Sequence, residues 1–441
     1  MASPTERIHE AGIEFVQLQF TDIPGALKSV TIPADRLEAC LERGLWFDGS
    51  AVEGMARTVE SDLYLRPDPA TLAILPWESR PTARLICDLH HPGGAPFLAD
   101  PRRALKTALE GAAELGFDYR IGCELEFSIF EDRGDETRDG RHLEPVDSGG
   151  YFEVTTDRAE ELCRMSTRAL ASAGFEVEMT HHEVAPGQHE VVLAVADALR
   201  VADAILALKT ALRAYGRRQG LLVSFMPKPI EGSSGSGLHV SQVLVDRKTG
   251  GDAFFAEDEP YQLSGNGRHF IAGQLAHARG MCALLAPLVN SYKRLMGGAE
   301  APAHITWART NRGALIRVPD ANPRDQTRIE LRAPDPSCNP YLAFAAMLRA
   351  GIDGITNHLE LPEPIEEPIQ RPARATDEEQ LADPLPSTLA EALEGLTWDP
   401  VIREAIGQPI YERFLSAKER EWAEHSRHIS LWELRSYLER A

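Results

Sequence analysis

The stretch RIGCELEFSIF, residues 120–130, combines a buried strand with two carboxylates on its other face. Strand alternation places five apolar side chains on one side, namely Ile121, Cys123, Leu125, Phe127 and Ile129. The opposite side carries Glu124 and Glu126, which lie about 7 Å apart in an extended chain. Carboxylates at this distance repel each other unless cations lie beside them. The stretch therefore predicts a sheet with one core face and one face that gathers charge.

The composition limits the classes of function that are open to this chain. Its 441 residues, 43% hydrophobic and 26% charged, are typical of a soluble globular protein with two or three domains. A net charge of -21 argues against binding to nucleic acid. No apolar run reaches membrane-spanning length, and the start of the chain does not resemble a signal peptide. Six cysteines without a CxxC pair indicate reduced thiols, so we expect a cytoplasmic protein with no membrane partner.

The order of strand-like and helical runs predicts an α+β fold with two domains. Short strands and one helix alternate up to about residue 90. A segment rich in Gly and Pro follows, and it ends in Asp100 as N-cap and Pro101 at the first helical position. We therefore expect a small N-terminal domain, residues 1–97, and a large domain, residues 98–441, built on an antiparallel sheet with flanking helices. Thr388 and Glu391 predict a capping box that opens a helical C-terminal region.

Four further stretches place charge on strand faces in the same way. In HHEVAPGQHEVVL, a Pro-Gly turn between Glu183 and Glu190 predicts a hairpin that brings both carboxylates to one end of a sheet. In GSSGSGLHVSQ, a glycine-rich loop leads into a strand on which His239 and Ser241 share a face. The other two stretches supply arginines around one carboxylate, namely Arg328, Glu330 and Arg332 in TRIELRAPDPS, with Arg312 and Arg317 in NRGALIRVP.

Each of these features has an ordinary structural explanation when it is taken alone. Paired glutamates are common on solvated strand faces, a single histidine is usually structural, and an Arg-Glu-Arg ladder resembles a surface ion-pair strip. Together, five carboxylates and one imidazole would repel each other unless cations neutralised them. Oxygen ligands with one histidine suit Mg²⁺ or Mn²⁺ better than zinc. Arginines beside them suit phosphate oxygens and a substrate carboxylate, so the set predicts a phosphoryl-transfer site.

The motifs that carry these residues resemble those of the bacterial type I glutamine synthetase family over nearly the whole chain. They include WFDGSAVEG, ESDLYLRPDP, GCELEF, HHEVAPGQHE, GSGLH, NSYKRL, NRGALIRVP, RIELRAPDPSCNPYLA and WELRSYL. The resemblance implies a β-grasp-like N-terminal domain and a homo-oligomer of two hexameric rings. It implies ATP-dependent ligation of ammonia to the γ-carboxylate of L-glutamate, through γ-glutamyl phosphate, with two or more Mg²⁺ or Mn²⁺ ions per site.

The resemblance also assigns roles to individual positions. One metal site would use Glu126, Glu183 and Glu190, and the other would use Glu124, His239 and Glu330. Substrate contacts would come from Gly235, Arg294, Arg332 and Glu183. Nucleotide contacts would come from Arg317, Arg328 and Ser241. The catalytic group would comprise Asp48, which helps to bind ammonium and take its proton, Glu300, which closes a flap over the acyl phosphate, and Arg312, which stabilises the transferring phosphoryl group.

Some positions depart from the family pattern and leave the amine acceptor open. Ser234 stands where the family often has Asn, Ser241 stands where a second histidine is common, and the flap reads GGAEAP instead of PGYEAP. A γ-glutamyl ligase that uses a polyamine or ethanolamine is therefore an alternative, and a non-catalytic homologue is a second one. Arg57 matches an inhibitor-sensing arginine of feedback-regulated members, although a surface ion pair would explain it equally well.

Overall fold

The N-terminal part of the chain forms one six-stranded sheet. The computed structural model describes residues 3–52, 62–135, 143–154, 158–296, 300–320, 326–369 and 382–440. The strands of the first sheet are β1 Phe15–Thr21, β2 Leu27–Pro33, β3 Leu45–Asp48, β4 Asp62–Pro67, β5 Ala73–Ile74 and β6 Thr82–His90. Their order is β2-β1-β6-β4-β3, with β5 paired to β6 and with β1 and β6 parallel. Helices α1 Pro4–Glu10 and α2 Leu37–Arg43 belong to the same region.

The second sheet has eight strands and carries the charged face that the sequence predicts. These are β7 Phe117–Glu131, β8 Val177–His182, β9 Gln188–Asp197, β10 Leu221–Ser224, β11 Leu238–Asp246, β12 Trp307–Ala308, β13 Ile316–Arg317 and β14 Ile329–Leu331. Their order is β12-β13-β14-β11-β7-β9-β8, with β10 also paired to β7. The pairing is antiparallel except between β12 and β13, which are parallel. The expected antiparallel sheet is therefore mixed at this edge.

Strand β7 is central because it pairs with β9, β10 and β11. Its apolar face is core, as alternation predicts: Ile121, Leu125, Phe127 and Ile129 are completely buried. Burial of that face fixes the register, so the alternate residues must point to the opposite side of the sheet. The alternation of a single strand thus determines where its two glutamates lie.

Helices pack around the second sheet and form the C-terminal region. They are α3 Pro101–Glu114, α4 Arg158–Ser172, α5 Ala198–Arg218, α6 Gly265–Ala276, α7 Ala278–Leu285, α8 Ser291–Leu295, α9 Pro340–Thr356, α10 Leu389–Trp398, α11 Pro400–Ile406, α12 Gln408–Arg427 and α13 Leu431–Tyr437. Helix α9 is buried along most of its length and packs on α3 and α6. Within the described ranges, no helix combines the length and the apolar character needed to cross a membrane.

Helices α3 and α10 begin at the residues that the sequence predicts. Asp100 caps α3 by accepting a hydrogen bond from the amide of Arg102, and Pro101 occupies the first helical position, as predicted. Thr388 caps α10 by accepting from the amide of Glu391. The predicted capping box is incomplete, because the Glu391 carboxylate accepts from the amide and hydroxyl of Ser387 instead of the Thr388 amide.

A buried arginine joins the N-terminal sheet to the helices of the larger region. Arg102, only 3% exposed, donates to Asp68 at 2.9 Å, to Asp88 at 2.8 Å and to Asp203 at 3.2 Å. These carboxylates come from the loop after β4, from β6 and from α5. Such a network ties the elements together, because removing the cation would leave three carboxylates without their shared partner.

Candidate active site

Glu124 and His239 form the centre of the charged face of β7. They are cross-strand partners on β7 and β11, and Nδ1 of His239 lies 3.0 Å from Oε2 of Glu124. The same Nδ1 lies 3.8 Å from Oε1 of Glu330, while Nε2 lies 3.7 Å from Oε1 of Glu126. One imidazole thus stands among three carboxylates. This is the arrangement expected if the two strand glutamates serve different cations.

The β8–β9 hairpin brings two more carboxylates to the same place. Glu190 is the cross-strand partner of Glu126 on β7. His181 joins the carboxylates of the hairpin, because its Nε2 lies 3.0 Å from Glu190 Oε1 and its Nδ1 lies 3.7 Å from Glu183 Oε1. The predicted hairpin is present, and the Glu183 amide closes it by donating to the carbonyl of Gln188.

Arginines surround the fifth carboxylate, Glu330, which lies on β14. Arg332 donates to its Oε1 at 2.6 Å, and Arg317 donates to its Oε2 at 3.2 Å. Ser241 is its cross-strand partner on β11. Arg294 is buried and donates to the backbone carbonyls of Arg332, Ala333 and Pro334. Glu330 therefore balances two guanidinium groups while remaining beside His239.

A cavity of about 320 Å³ adjoins these side chains. The residues that line it are Glu126, Glu183, Val184, Gln188, Lys228, Gly232, Ser233, Ser234, Gly235, His239, Arg294, Glu300, Ala301 and Arg332. The glycine loop must come very close to Arg294: a Cβ at Gly235 would lie 2.6 Å from the Pro227 carbonyl oxygen and 2.9 Å from Arg294 Cγ. The loop therefore presents backbone, not a side chain, to the cavity at this position.

The hairpin carboxylates hold their protons unusually tightly. Burial, together with the charges of Glu126 and Glu190, raises the pKa of Glu183 to about 8. Burial also raises the pKa of Glu190 to about 7, even though a hydrogen bond from His181 acts in the other direction. The crowded negative charge is therefore unfavourable without a counter-ion.

The pKa of the His239 imidazole is shifted in the direction that favours metal binding. Burial and the positive charge of Arg332 lower the pKa of His239 to about 4. The ring is then neutral near neutral pH, which is the form that binds metals. Burial likewise raises the pKa of Glu124, against the opposing charge of Arg332. Both shifts have burial as their largest cause, so both side chains are more easily neutral here than in water.

Three groups of side chains on this face have the spacing that a metal ion needs. Each group places its candidate ligand atoms within 4.8 Å of one another: Glu124, His239 and Glu330; Glu126, Glu190 and His239; and His181, Glu183 and Glu190. The first group contains the same three residues as one predicted metal site. In the second predicted site, Glu126 and Glu190 are grouped directly, whereas Glu183 is grouped with Glu190 through His181.

Other predicted residues lie at the edge of the cavity or away from it. Glu300 and Arg312 are exposed, with 4.0 Å between their charged groups. Arg328 points to Glu178, with 3.6 Å between the charged groups. Asp48 caps a short turn after β3, where it accepts from the Ser50 amide, and it is not among the described residues that line the cavity. Arg57 lies outside the described residues.

The structure places further polar residues, which the sequence did not single out, beside the predicted ligands. Gln188 donates to Glu126 Oε2 at 3.2 Å and to the Gly235 carbonyl at 2.9 Å, so it links β7 to the glycine loop. Asp147 contacts two histidines, with its carboxylate 2.8 Å from His182 and 3.3 Å from His189. The two histidines could have been identified from the motif HHEVAPGQHE, where a histidine precedes each of the glutamates Glu183 and Glu190.

Carboxylate clusters with arginines beside them are typical of proteins that handle divalent cations together with phosphate groups. Comparison with known proteins agrees. A profile described as the catalytic domain of glutamine synthetase matches residues 98–437, and one described as the glutamine synthetase β-grasp domain matches residues 12–92. The chain belongs to the glutamine synthetase family, a family of ligases.

Relatives named glutamine synthetase match along nearly their whole length. The one from Thermus thermophilus is 46% identical and covers 97% of this chain and 96% of its own. The one from Thermotoga maritima is 44% identical, with 98% of each chain covered. The one from Methanosarcina mazei is 42% identical, with 98% of this chain and 96% of its own covered.

Solved structures support the fold along the same length. The structure described as "Apo GmaS without ligand" has a TM-score of 0.88 at 31% identity, and covers 99% of this chain and 100% of its own. The structure described as "GmaS/ADP complex-Conformation 1" has a TM-score of 0.87 at 29% identity, with 100% of each chain covered. The expected β-grasp domain and larger catalytic domain are therefore confirmed.

Proposed function

We propose that this protein joins ammonia to the γ-carboxylate of L-glutamate at the expense of ATP, and releases L-glutamine, ADP and phosphate. The observation that carries the proposal is the common position of Glu124, Glu126 and His239 on two paired strands, with Arg332 held beside them by Glu330. Relatives at 42–46% identity that are named glutamine synthetase support the same activity.

The donor set fits Mg²⁺ or Mn²⁺, because it is made of carboxylate oxygens and one neutral imidazole. We assign Glu126, Glu183 and Glu190 to one ion, and Glu124, His239 and Glu330 to the other. The raised pKa values of Glu183 and Glu190 support this assignment, since burial and the charges of neighbouring carboxylates both disfavour the ionised form, and a bound cation would favour it. When bound, the ions neutralise charge on the carboxylates and on the phosphate oxygens of ATP.

In the first half-reaction, a γ-carboxylate oxygen of glutamate attacks the γ-phosphorus of ATP and ADP leaves. Arg294 and Arg332 hold the carboxylates of the substrate, and the backbone of Gly235 contacts its amino group. Arg312 stabilises the charge of the transferring phosphoryl group. The nucleotide contacts that we assign are Arg317, Arg328 and Ser241. Positioning and charge neutralisation supply most of the catalysis in such transfers.

In the second half-reaction, ammonia attacks the acyl carbon of γ-glutamyl phosphate and phosphate leaves with the former carboxylate oxygen. Asp48 and Glu183 bind the ammonium ion, and Asp48 takes the proton that makes it nucleophilic. Glu300 covers the acyl phosphate and excludes water, which would otherwise hydrolyse it.

We place the enzyme in the cytoplasm as a dodecamer of two hexameric rings, in which Asp48 is supplied by a neighbouring subunit. Asp48 lies on the N-terminal sheet and does not line the cavity of its own chain. A proton acceptor must lie within hydrogen-bond reach of the ammonium ion, so a second chain would complete the site.

Ser234 and the flap sequence GGAEAP depart from the family pattern and favour a second candidate, a γ-glutamyl ligase for a polyamine or ethanolamine, because Ser234, Glu300 and Ala301 line the cavity. An acceptor screen distinguishes the two. ATP-dependent phosphate release is followed with glutamate and either ammonium, putrescine or ethanolamine. We expect ammonium to give the highest kcat/KM. A clear preference for either larger amine would replace glutamine synthesis with the second candidate.

A further inference from the structure

A cleft of about 430 Å³ lies between the N-terminal sheet and helix α5. It shares no lining residue with the active-site cavity. One wall is formed by β1, β2 and the loop at Trp77, and the other wall is formed by α5. Arg218 of α5 donates a hydrogen bond to the carbonyl of Trp77 and so fixes the two walls to each other. The volume is in the range of small-molecule sites.

The walls of this cleft carry an excess of positive charge. Lys209, Arg213 and Arg217 line it from α5, and their spacing of four residues places them along one side of the helix. Lys28 lines it from β2 on the opposite wall. Like charges four residues apart destabilise a helix unless something neutralises them. This concentration is unusual in a chain whose net charge is -21.

The described carboxylates form no ion pair with the three cations of α5, whereas Lys28 pairs with Asp22 at 3.1 Å. No ion pair or hydrogen bond joins the guanidinium groups of Arg213 and Arg217 to any residue that the structure describes, although Arg213 stacks over the Phe225 ring at 4.8 Å. Among the described residues, Lys209 donates to the neutral carbonyl of Pro336 at 2.6 Å, and its ammonium group lies 5.3 Å from the centre of the Phe225 ring. The one carboxylate among the described lining residues is Glu78, and it accepts a hydrogen bond from a side-chain amide at 3.3 Å.

We propose that this cleft binds a small organic anion through a carboxylate or phosphate group. Arg213 and Arg217 provide the planar donors that hold such oxyanions in bidentate fashion, and Trp77 and Leu206 provide apolar surface for the rest of the ligand. Because one wall belongs to the N-terminal sheet and the other to α5, the bound anion fastens the N-terminal sheet to the catalytic region. The site does not depend on which amine the active site accepts.

The test uses the assembled full-length enzyme with inorganic phosphate and with succinate as separate probes. Calorimetric titration compares the wild type with the double variant Arg213→Gln/Arg217→Gln, and with Lys28→Gln on the opposite wall. The matched control is Arg200→Gln, since Arg200 lies on the same helix but donates to the Gly174 carbonyl outside the cleft. Phosphate is also a product of the proposed reaction and can bind in the active site. Only the binding that is weakened by the substitutions in the cleft is therefore assigned to the cleft.

We expect the wild type and the control to bind one of the probes saturably, and the double variant to lose about tenfold in affinity for that probe. Lys28→Gln should weaken the same event, and turnover without added anion should stay unchanged in all variants. Phosphate and succinate distinguish a phosphate ligand from a carboxylate ligand. Equal affinity in the double variant, or no saturable event beyond the active site, would overturn the proposal. A third result would also overturn the proposal: the wild type binds neither probe, and the double variant dissociates into smaller assemblies. The cleft would then be a contact between copies of the chain.

Discussion

His239 and Glu124 face each other across β11 and β7, with 3.0 Å between the imidazole Nδ1 and the carboxylate Oε2. The contact places the only imidazole of the predicted ligand set between the two strand glutamates, since its other nitrogen faces Glu126 at 3.7 Å. Two like charges that lie two positions apart on one strand thereby face different nitrogens of the same ring. The proposed pair of metal sites rests on this separation.

The first prediction concerns the ion that we assign to Glu124, His239 and Glu330. Glu330→Gln should reduce ATP-dependent turnover by at least about a hundredfold, because the amide keeps the shape of the side chain but loses the charge that binds the cation. Calorimetry should show weakened Mn²⁺ binding at one site. Glu110→Gln, an exposed glutamate paired with Arg103 on α3, is the matched control. Near-normal turnover of Glu330→Gln at modest Mg²⁺ would remove Glu330 from the site.

The second prediction concerns Asp147, which positions the metal-ligand hairpin. Its carboxylate contacts the ring of His182, the residue before Glu183, and the ring of His189, the residue before Glu190. Hydrogen bonds from these rings lower the pKa of Asp147, although burial alone would raise it. Asp147→Asn should therefore loosen the hairpin and weaken binding of one metal ion by about ten- to a hundredfold.

Manganese titration of Asp147→Asn checks this, with Asp118→Asn as control because Asp118 forms an exposed ion pair with Arg247. Excess Mn²⁺ should restore part of the activity if Asp147 acts through the ligands. Unchanged metal affinity, with activity lost, would show that Asp147 acts in another way.

The third prediction concerns a histidine that responds to pH. His277 Nδ1 lies 2.8 Å from Asp399 and Nε2 lies 3.1 Å from Asp353, so it joins α9 to the start of α11. Burial alone would lower the pKa of His277, but these two hydrogen bonds outweigh it and raise the pKa. The charged ring therefore stabilises the fold fully below its unfolded pKa of about 6.5, and this contribution is lost as the pH rises through the higher folded pKa.

Thermal midpoints of the wild type and His277→Gln should differ most near about pH 6, and the difference should shrink toward about pH 9. His9→Gln, at an exposed position of α1, controls for the loss of a titratable side chain. A difference that does not vary with pH would mean that packing, and not charge, accounts for the effect of the substitution.

The fourth prediction concerns the subunit that supplies Asp48. Asp48→Ala and Glu126→Ala should each be inactive, and the two should regain partial activity when they are unfolded together and reassembled. Mixed rings would place an intact Asp48 beside an intact Glu126 at a fraction of the sites. If sedimentation shows properly mixed rings without recovered activity, the two residues act within one chain.

The sequence contained the information for the strand-borne part of the site. Alternation along β7 predicted that Glu124 and Glu126 point away from the core, because burial of one face fixes the side of the sheet to which each side chain points. The Pro-Gly turn likewise indicated the hairpin that carries Glu183 and Glu190. Strand periodicity and turn chemistry are local, so both could be predicted without the structure.

Contacts between distant segments could not be predicted in this way. Asp147 lies 35 residues before His182, and its position depends on how a loop packs against the hairpin. The parallel pairing of β12 with β13 is likewise set by tertiary packing, since two-residue strands carry no periodic signal. The direction taken by the Glu391 carboxylate, toward Ser387, depends on the loop before α10.

The central claim is that ATP activates glutamate as an acyl phosphate, and the fate of oxygen tests it most directly. Glutamate labelled with ¹⁸O in both γ-carboxylate oxygens is turned over with ATP and ammonium, and the products are analysed by mass spectrometry. One labelled oxygen should appear in each phosphate released and the other should remain in the glutamine amide, because ammonia breaks the bond between the acyl carbon and the bridging oxygen. Phosphate released without label would contradict the account, since glutamate would then not have received the phosphoryl group.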